Sequence, residues 1–266
     1  MVHVRNLVEL GPRPPGSPPI EASRVYIAKQ LEQFGWRVTR QTFTADTPRG
    51  PMEFVNLISE FGSPTEEIKP ESLFLLCSHY DTKLFQDVRF VGANDGASGN
   101  AVLLELARVF SQRPRLAKHL VLVFFDGEEA YENFSETDGL YGSRHFAERL
   151  VAEDKTKRFR GGMVFDMVGD RSLTITLPPD SPSHIAQEIF ASADALNLRK
   201  YFTYFDHDIT DDHTPLNAVG IPTIDLIDFD YDWWHTTGDT LDKVSPESLQ
   251  IVGSVAAHYL SGTALE

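Results

Sequence analysis

His79 and Asp81 follow the apolar run Ser72–Ser78 (SLFLLCS), and Asp95 lies in VGANDGASG. Glu128 and Glu129 follow the run His119–Phe125 (HLVLVFF), Asp166 stands near the end of Gly162–Met167, and His235 comes after Ile221–Ile227. Carboxylates and imidazoles are the donors of a first-row divalent ion such as zinc, which can keep one coordination position for a substrate. Two carboxylates and a neutral imidazole cancel the ion's charge and leave a Lewis acid able to polarise a carbonyl. In an adjacent pair such as Glu128-Glu129, the second residue can ligate while the first points at the reacting atom as a general base.

The hydrophobic pattern indicates which elements must carry these residues. Glu21 to Phe34 reads as a helix with Ala22, Val25, Ala28 and Leu31 on one face, preceded by an extended Pro/Gly arm at Gly11–Pro19. Trp36–Thr44 and Phe54–Phe61 read as strands on either side of the turn Thr47-Pro-Arg-Gly50. Helices are predicted at Gly96–Phe110 (Val102, Leu103, Leu106 and Phe110 inward), near Tyr141–Val151, at Ile185–Ala195, and from Pro246 with Ser245 as its cap. Strands apolar throughout and alternating with helices predict an α/β fold. The expected architecture is a single domain over 1–266, with a mostly parallel central sheet and helices on both faces. Ligands of such sheets bind outside the carboxyl ends of the strands. The polar residues therefore converge from five segments on one edge.

Each of them also has a bland explanation. Asp95 could cap its helix, Glu128-Glu129 could sit in a helix's first turn, and His79 could be a hydrogen-bonded core histidine. Trp234-His235 could be packing at a loop tip, and Asp211-Asp212-His213 a turn followed by a cap. None of these explains why all of them fall at the same end of the sheet. The joint reading is a metal site.

Composition narrows the partners. The 266 residues carry 24 Lys and Arg against 39 Asp and Glu, a formal charge of −15, which argues against nucleic acid because phosphate binding needs a basic surface. No apolar run is long enough to span a bilayer. Cys77, the sole cysteine, excludes an intramolecular disulfide and reads as an inert thiol inside an apolar strand.

HYDTK (His79–Lys83), FVGANDGASGNAVLLELARVF (Phe90–Phe110), LVFFDGEEAYENFSETDGLYGSRHFA (Leu122–Ala147), DDHTPLNAVGIPTIDLI (Asp211–Ile227) and WHTTGDTLDKVS (Trp234–Ser245) follow in order between His79 and Ser245. Together they resemble the zinc-dependent aminopeptidase clan and, within it, the glutaminyl-peptide cyclotransferases. The resemblance implies one Zn2+ per chain held by Asp95, Glu129 and His235, with Glu128 as general acid/base. It further implies Asp166 and Asp211 as carboxylates of the hydrogen-bond network, and Trp234 and Phe134 as walls of the substrate pocket. The implied reaction closes the N-terminal glutamine of a peptide to pyroglutamate and releases ammonia. Three departures stand out: Asp225 where the animal enzyme has histidine, Phe134 where it has tryptophan, and Ser78 and Asn100 where it has a disulfide. A bacterial-type member is implied, and family habit favours export to the periplasm or outside, with a leader absent from this sequence, over retention in the cytoplasm; a monomer is the default expectation. The nearest rival is a di-zinc aminopeptidase, with His79 and Asp166 serving a second ion and Asp95 bridging. A non-catalytic binding module would be marked by loss of the Glu-Glu pair or a ligand, and both are present.

Overall fold

In the computed structural model, which describes residues 1–62 and 72–265, four parallel strands form the centre of one sheet. They are β3 (Leu73–His79), β4 (Leu120–Phe125), β5 (Phe159–Asp166) and β8 (Thr223–Ile227). Every residue of β3, β4 and β8 is buried, as expected for strands covered on both faces. The margins are mixed. β1 (Trp36–Thr47) and β2 (Gly50–Phe61) form an antiparallel hairpin that joins β4, and the three-residue strands β6 (Ile175–Leu177) and β7 (Phe202–Tyr204) extend the far side. The order is β1-β2-β4-β3-β5-β8-β6-β7. The parallel core is as predicted. β6 and β7, each three residues long, are too short to leave a pattern in the sequence.

Alternation along the strands sends odd-numbered residues of β3 and β4 to one face. There Leu73, Leu75, Cys77, Val121, Val123 and Phe125 pack beneath Phe146, Ala147 and Leu150 of α5 (Tyr141–Ala152) and Leu216 of α7 (His213–Ala218). The other face lies under α1 (Val2–Glu9), α2 (Pro18–Gln33), α3 (Ala97–Ser111), α6 (Ser183–Ala195) and α8 (Pro246–Tyr259). A one-turn helix, α4 (Pro114–Ala117), leads into β4. Ser245 caps α8, its hydroxyl accepting from the amides of Glu247 and Ser248.

Two expectations need correction. The arm at Gly11–Pro19 is preceded by a helix, α1. The buried stripe of α2 is Ile20, Ser23, Arg24, Ile27 and Leu31, while Val25 is 54% exposed and Ala22 and Ala28 are only half-buried. The register was misread because a charged residue occupies the buried stripe. Arg24 donates through Nε to the Tyr80 hydroxyl (2.7 Å) and through NH2 to Asp126 Oδ2 (2.6 Å).

α3 must approach the sheet closely to deliver the loop before it. Gly99 makes this possible, because a Cβ there would overlap the Phe165 carbonyl and the Ser78 hydroxyl. We expect Gly99→Ala to lower stability by at least about 1–3 kcal/mol, the range for overpacking a dense core. A denaturant midpoint unchanged from wild type would contradict that packing.

Candidate metal centre

On the face beneath α5 and α7, the strand ends turn polar. His79 ends β3, Asp166 ends β5, and Asp225 interrupts β8. The loops after them complete the cluster. Asp95 does not cap α3: the cap position is Gly96, with no side-chain hydrogen bond. Glu128 and Glu129 are in no helix, since α5 begins only at Tyr141. Both bland explanations therefore fail.

One oxygen of Asp95, one of Glu129 and one ring nitrogen of His235 lie within 4.8 Å of one another. His235 Nε2 is 3.0 Å from Glu129 Oε2 and 3.4 Å from Asp95 Oδ2. Both carboxylate oxygens are buried without a hydrogen-bond partner, so the donors face one another without satisfying one another. A tetrahedral ion with bonds of about 2.0–2.2 Å separates its ligand atoms by about 3.3–3.6 Å. The spacing and the orphaned oxygens fit a bound divalent ion.

His79 is the hub beside this triad. Its Nε2 is 3.2 Å from Asp166 Oδ1 and 3.3 Å from Asp95 Oδ1, and its Nδ1 is 3.5 Å from Asp81 Oδ1. Burial disfavours the imidazolium, but the three carboxylates outweigh it and raise the His79 pKa well above its usual value. Burial, then the charges of Glu129, Asp211 and Asp212, pushes Glu128 well up against the opposing pull of His79, and Asp166 is raised to about 7, mainly by burial.

The loops are held by carboxylates that each accept two successive backbone amides. Asp81 takes those of Glu128 and Glu129, Asp138 those of Tyr131 and Glu132, and Asp239 those of Asn94 and Asp95. Tyr231 donates its hydroxyl to Asp239 (2.8 Å). Arg13, wholly buried, donates to the carbonyls of Leu7, Gly11, Tyr80, Val91 and Gly92, pinning the residue after β3 and the segment just before Asp95 to the N-terminal arm. Lys83 donates its amide to Glu129 Oε1 (3.0 Å). Asp81 stands among the candidate donors in the sequence, but its fastening role, like those of Asp138, Asp239 and Arg13, shows only once its partners are known.

A cleft opens over the triad. Glu128, Phe134, Asp166, Asp211 and Trp234 all line it, joined by the apolar Met167, Ile209, Ile227 and Phe229. Trp234 stacks on His235, with centroids 4.2 Å apart and planes 25° apart. Every residue expected at the site is thus brought to one cleft. Ser78 and Asn100 are both buried, and the Asn100 amide donates to the carbonyl of His79 (2.5 Å).

Residues 56–260 match peptidase family M28. The chain belongs to that family. Within M28 it is 33% identical to a glutaminyl-peptide cyclotransferase of Bos taurus, over 89% of this chain and 75% of the relative. Among solved structures, a glutaminyl cyclase from an Acidobacteriales bacterium superposes with a TM-score of 0.88 at 31% identity, covering 98% of this chain and 92% of that one. A Zn-dependent exopeptidase from Parabacteroides distasonis superposes with a TM-score of 0.87 at 25% identity, covering 98% and 96%. No helix among the described residues is long and apolar enough to cross a membrane.

Proposed function

We propose that this M28 chain is a zinc enzyme that closes the N-terminal glutamine of peptides to pyroglutamate with release of ammonia. The observation that carries the reading is the cleft itself: a donor triad with orphaned oxygens, a buried glutamate beside it, and aromatic residues along its walls. The cyclotransferase names of its relatives point the same way.

One zinc, held by Asp95, Glu129 and His235, supplies Lewis acidity toward the γ-carbonyl of the substrate glutamine and draws Glu128 toward its ionised form. Glu128 accepts a proton as the α-amine nitrogen bonds to the γ-carbonyl carbon. It returns that proton to the departing NH2 as the old carbon–nitrogen bond breaks, and ammonia leaves. Asp166 and Asp211 orient the amine. Trp234 and Phe134 pack on the glutamine methylenes and hold the folded conformer in which amine and carbonyl meet, which removes much of the entropic barrier to an intramolecular step. One chain supplies every group, in keeping with a monomer.

A second reading, a di-zinc aminopeptidase, is favoured by one observation: His79, Asp95 and Asp166 form another triad of suitable spacing. Against it, His79 Nε2 is hydrogen-bonded to Asp166 Oδ1 (3.2 Å), so that triad is satisfied internally while the first is not.

A glutaminyl arylamide separates the two. Ammonia and the pyroglutamyl arylamide are the expected products, abolished by a chelator and restored by zinc. Free arylamine without pyroglutamyl product would establish the peptidase instead.

A further inference from the structure

One buried cluster plays no part in the steps above. Behind the cleft, Asp211, His213 and Asp225 bring two carboxylate oxygens and a ring nitrogen within 4.8 Å of one another. Asp225 pairs in register with Val164 of β5, which pairs with Cys77 of β3, so it stands on an otherwise apolar face. It is fully buried. Neither of its oxygens has a hydrogen-bond donor, and His213 Nδ1 approaches Oδ2 only to 3.5 Å. Asp211 Oδ1 accepts from the Asp212 amide (2.5 Å), and its Oδ2 has no donor.

Two carboxyl groups that face each other away from water, with no N–H between them, do not both ionise; they share a proton. The groups around Asp225 sharpen this. Asp166 faces it from β5, Asp211 and Asp212 from the loop before α7, and His213 from α7 with Asp180 3.5 Å behind its Nε2. Cys77 of β3 is buried, and both carboxylate oxygens of Asp212 are without a hydrogen-bond donor. Carboxyl groups predominate. Asp211 opens onto the cleft, whereas Asp225 does not, so the proton belongs on Asp225. Burial first, then the charges of Asp211 and Asp166, pushes its acid well up.

We propose that Asp225 is a positioning residue: as a neutral acid it donates its proton to Asp211, which holds that cleft carboxylate in one orientation and limits the pair to one negative charge. This rests on the reading in which Asp211 orients the substrate amine. Loss of the shared proton in alkaline solution places a second charge beside Asp211 and releases its orientation.

The test compares Asp225→Asn with Asp225→Leu in the zinc-loaded enzyme. An amide keeps a donor and cannot ionise. Asp225→Asn should therefore hold kcat for ammonia release within about threefold of wild type and shift the alkaline limb of its pH profile upward by at least about one unit, which corresponds to a tenfold change in proton affinity. Asp225→Leu should lose about tenfold or more in kcat with little change in KM. Infrared difference spectra with 13C-labelled aspartate provide a readout independent of turnover, and one neutral-carboxyl band of the wild type should be missing from Asp225→Asn. If the wild type releases no ammonia, the functional reading fails, and the infrared band still decides the proton. An active wild type whose band survives in Asp225→Asn, or an Asp225→Asn as impaired as Asp225→Leu, overturns the proposal.

Discussion

Glu128→Gln should lower kcat for ammonia release by about 10²–10⁴-fold, the usual worth of a positioned acid/base, with zinc content unchanged. The amide is nearly isosteric but cannot accept a proton from the amine or return one to the leaving group. The side chain is 6% exposed, and its place is held from the backbone by Asp81 Oδ1, 3.1 Å from the Glu128 amide. The variant should therefore fold as wild type does. The triad of Asp95, Glu129 and His235 does not include Glu128, so metal should stay bound. Metal analysis beside the ammonia assay separates a lost proton carrier from a lost ion. Turnover at the wild-type rate would remove Glu128 from the role given to it.

The second large effect is on stability. Above about pH 8, where Asp126 is ionised in the fold, Arg24→Met should destabilise by up to about 3–5 kcal/mol, because breaking a buried pair leaves its partner charge uncompensated. Arg24 of α2 reaches Asp126, the residue two before Glu128, and Asp126 Oδ2 also accepts the Val55 amide of β2 (2.7 Å). The pair thus ties helix, hairpin and catalytic loop together. Burial outweighs the guanidinium and raises Asp126 to about 7. For a carboxyl raised in the folded state, the linked stability is fully present below the unfolded value near 4 and is lost as pH climbs through about 7. Without Arg24 the acid is raised further. The deficit of Arg24→Met should therefore be small at pH 5 and grow toward pH 8, and adding Asp126→Asn should recover much of it. Urea midpoints at the two pH values check this. A deficit independent of pH would mean that lost packing, not an unpaired charge, dominates.

Much of the fold was legible from the sequence because its signals are local. SLFLLCS and HLVLVFF are apolar throughout, which suits strands buried on both faces, and the polar residues that end such runs must lie at the carboxyl edge of the sheet. From that alone, His79, Asp95, Glu128, Glu129, Asp166 and His235 could be placed at one end. The helix boundaries held to within a few residues, and Ser245 capped α8 as its position before Pro246 predicts.

What remained hidden depends on partners distant in the chain. Arg24 lies off the apolar face that the sequence pattern gives α2, and only Asp126, 102 positions away, accounts for its burial. Asp138 and Asp239 look like ordinary loop aspartates and Asp81 like a candidate ligand, yet each holds two consecutive amides of a site loop. Residue type and position after a strand determine which side chains can ligate. Which donor atoms come within reach of one ion is decided by strand order and loop closure, and these are properties of the packed chain.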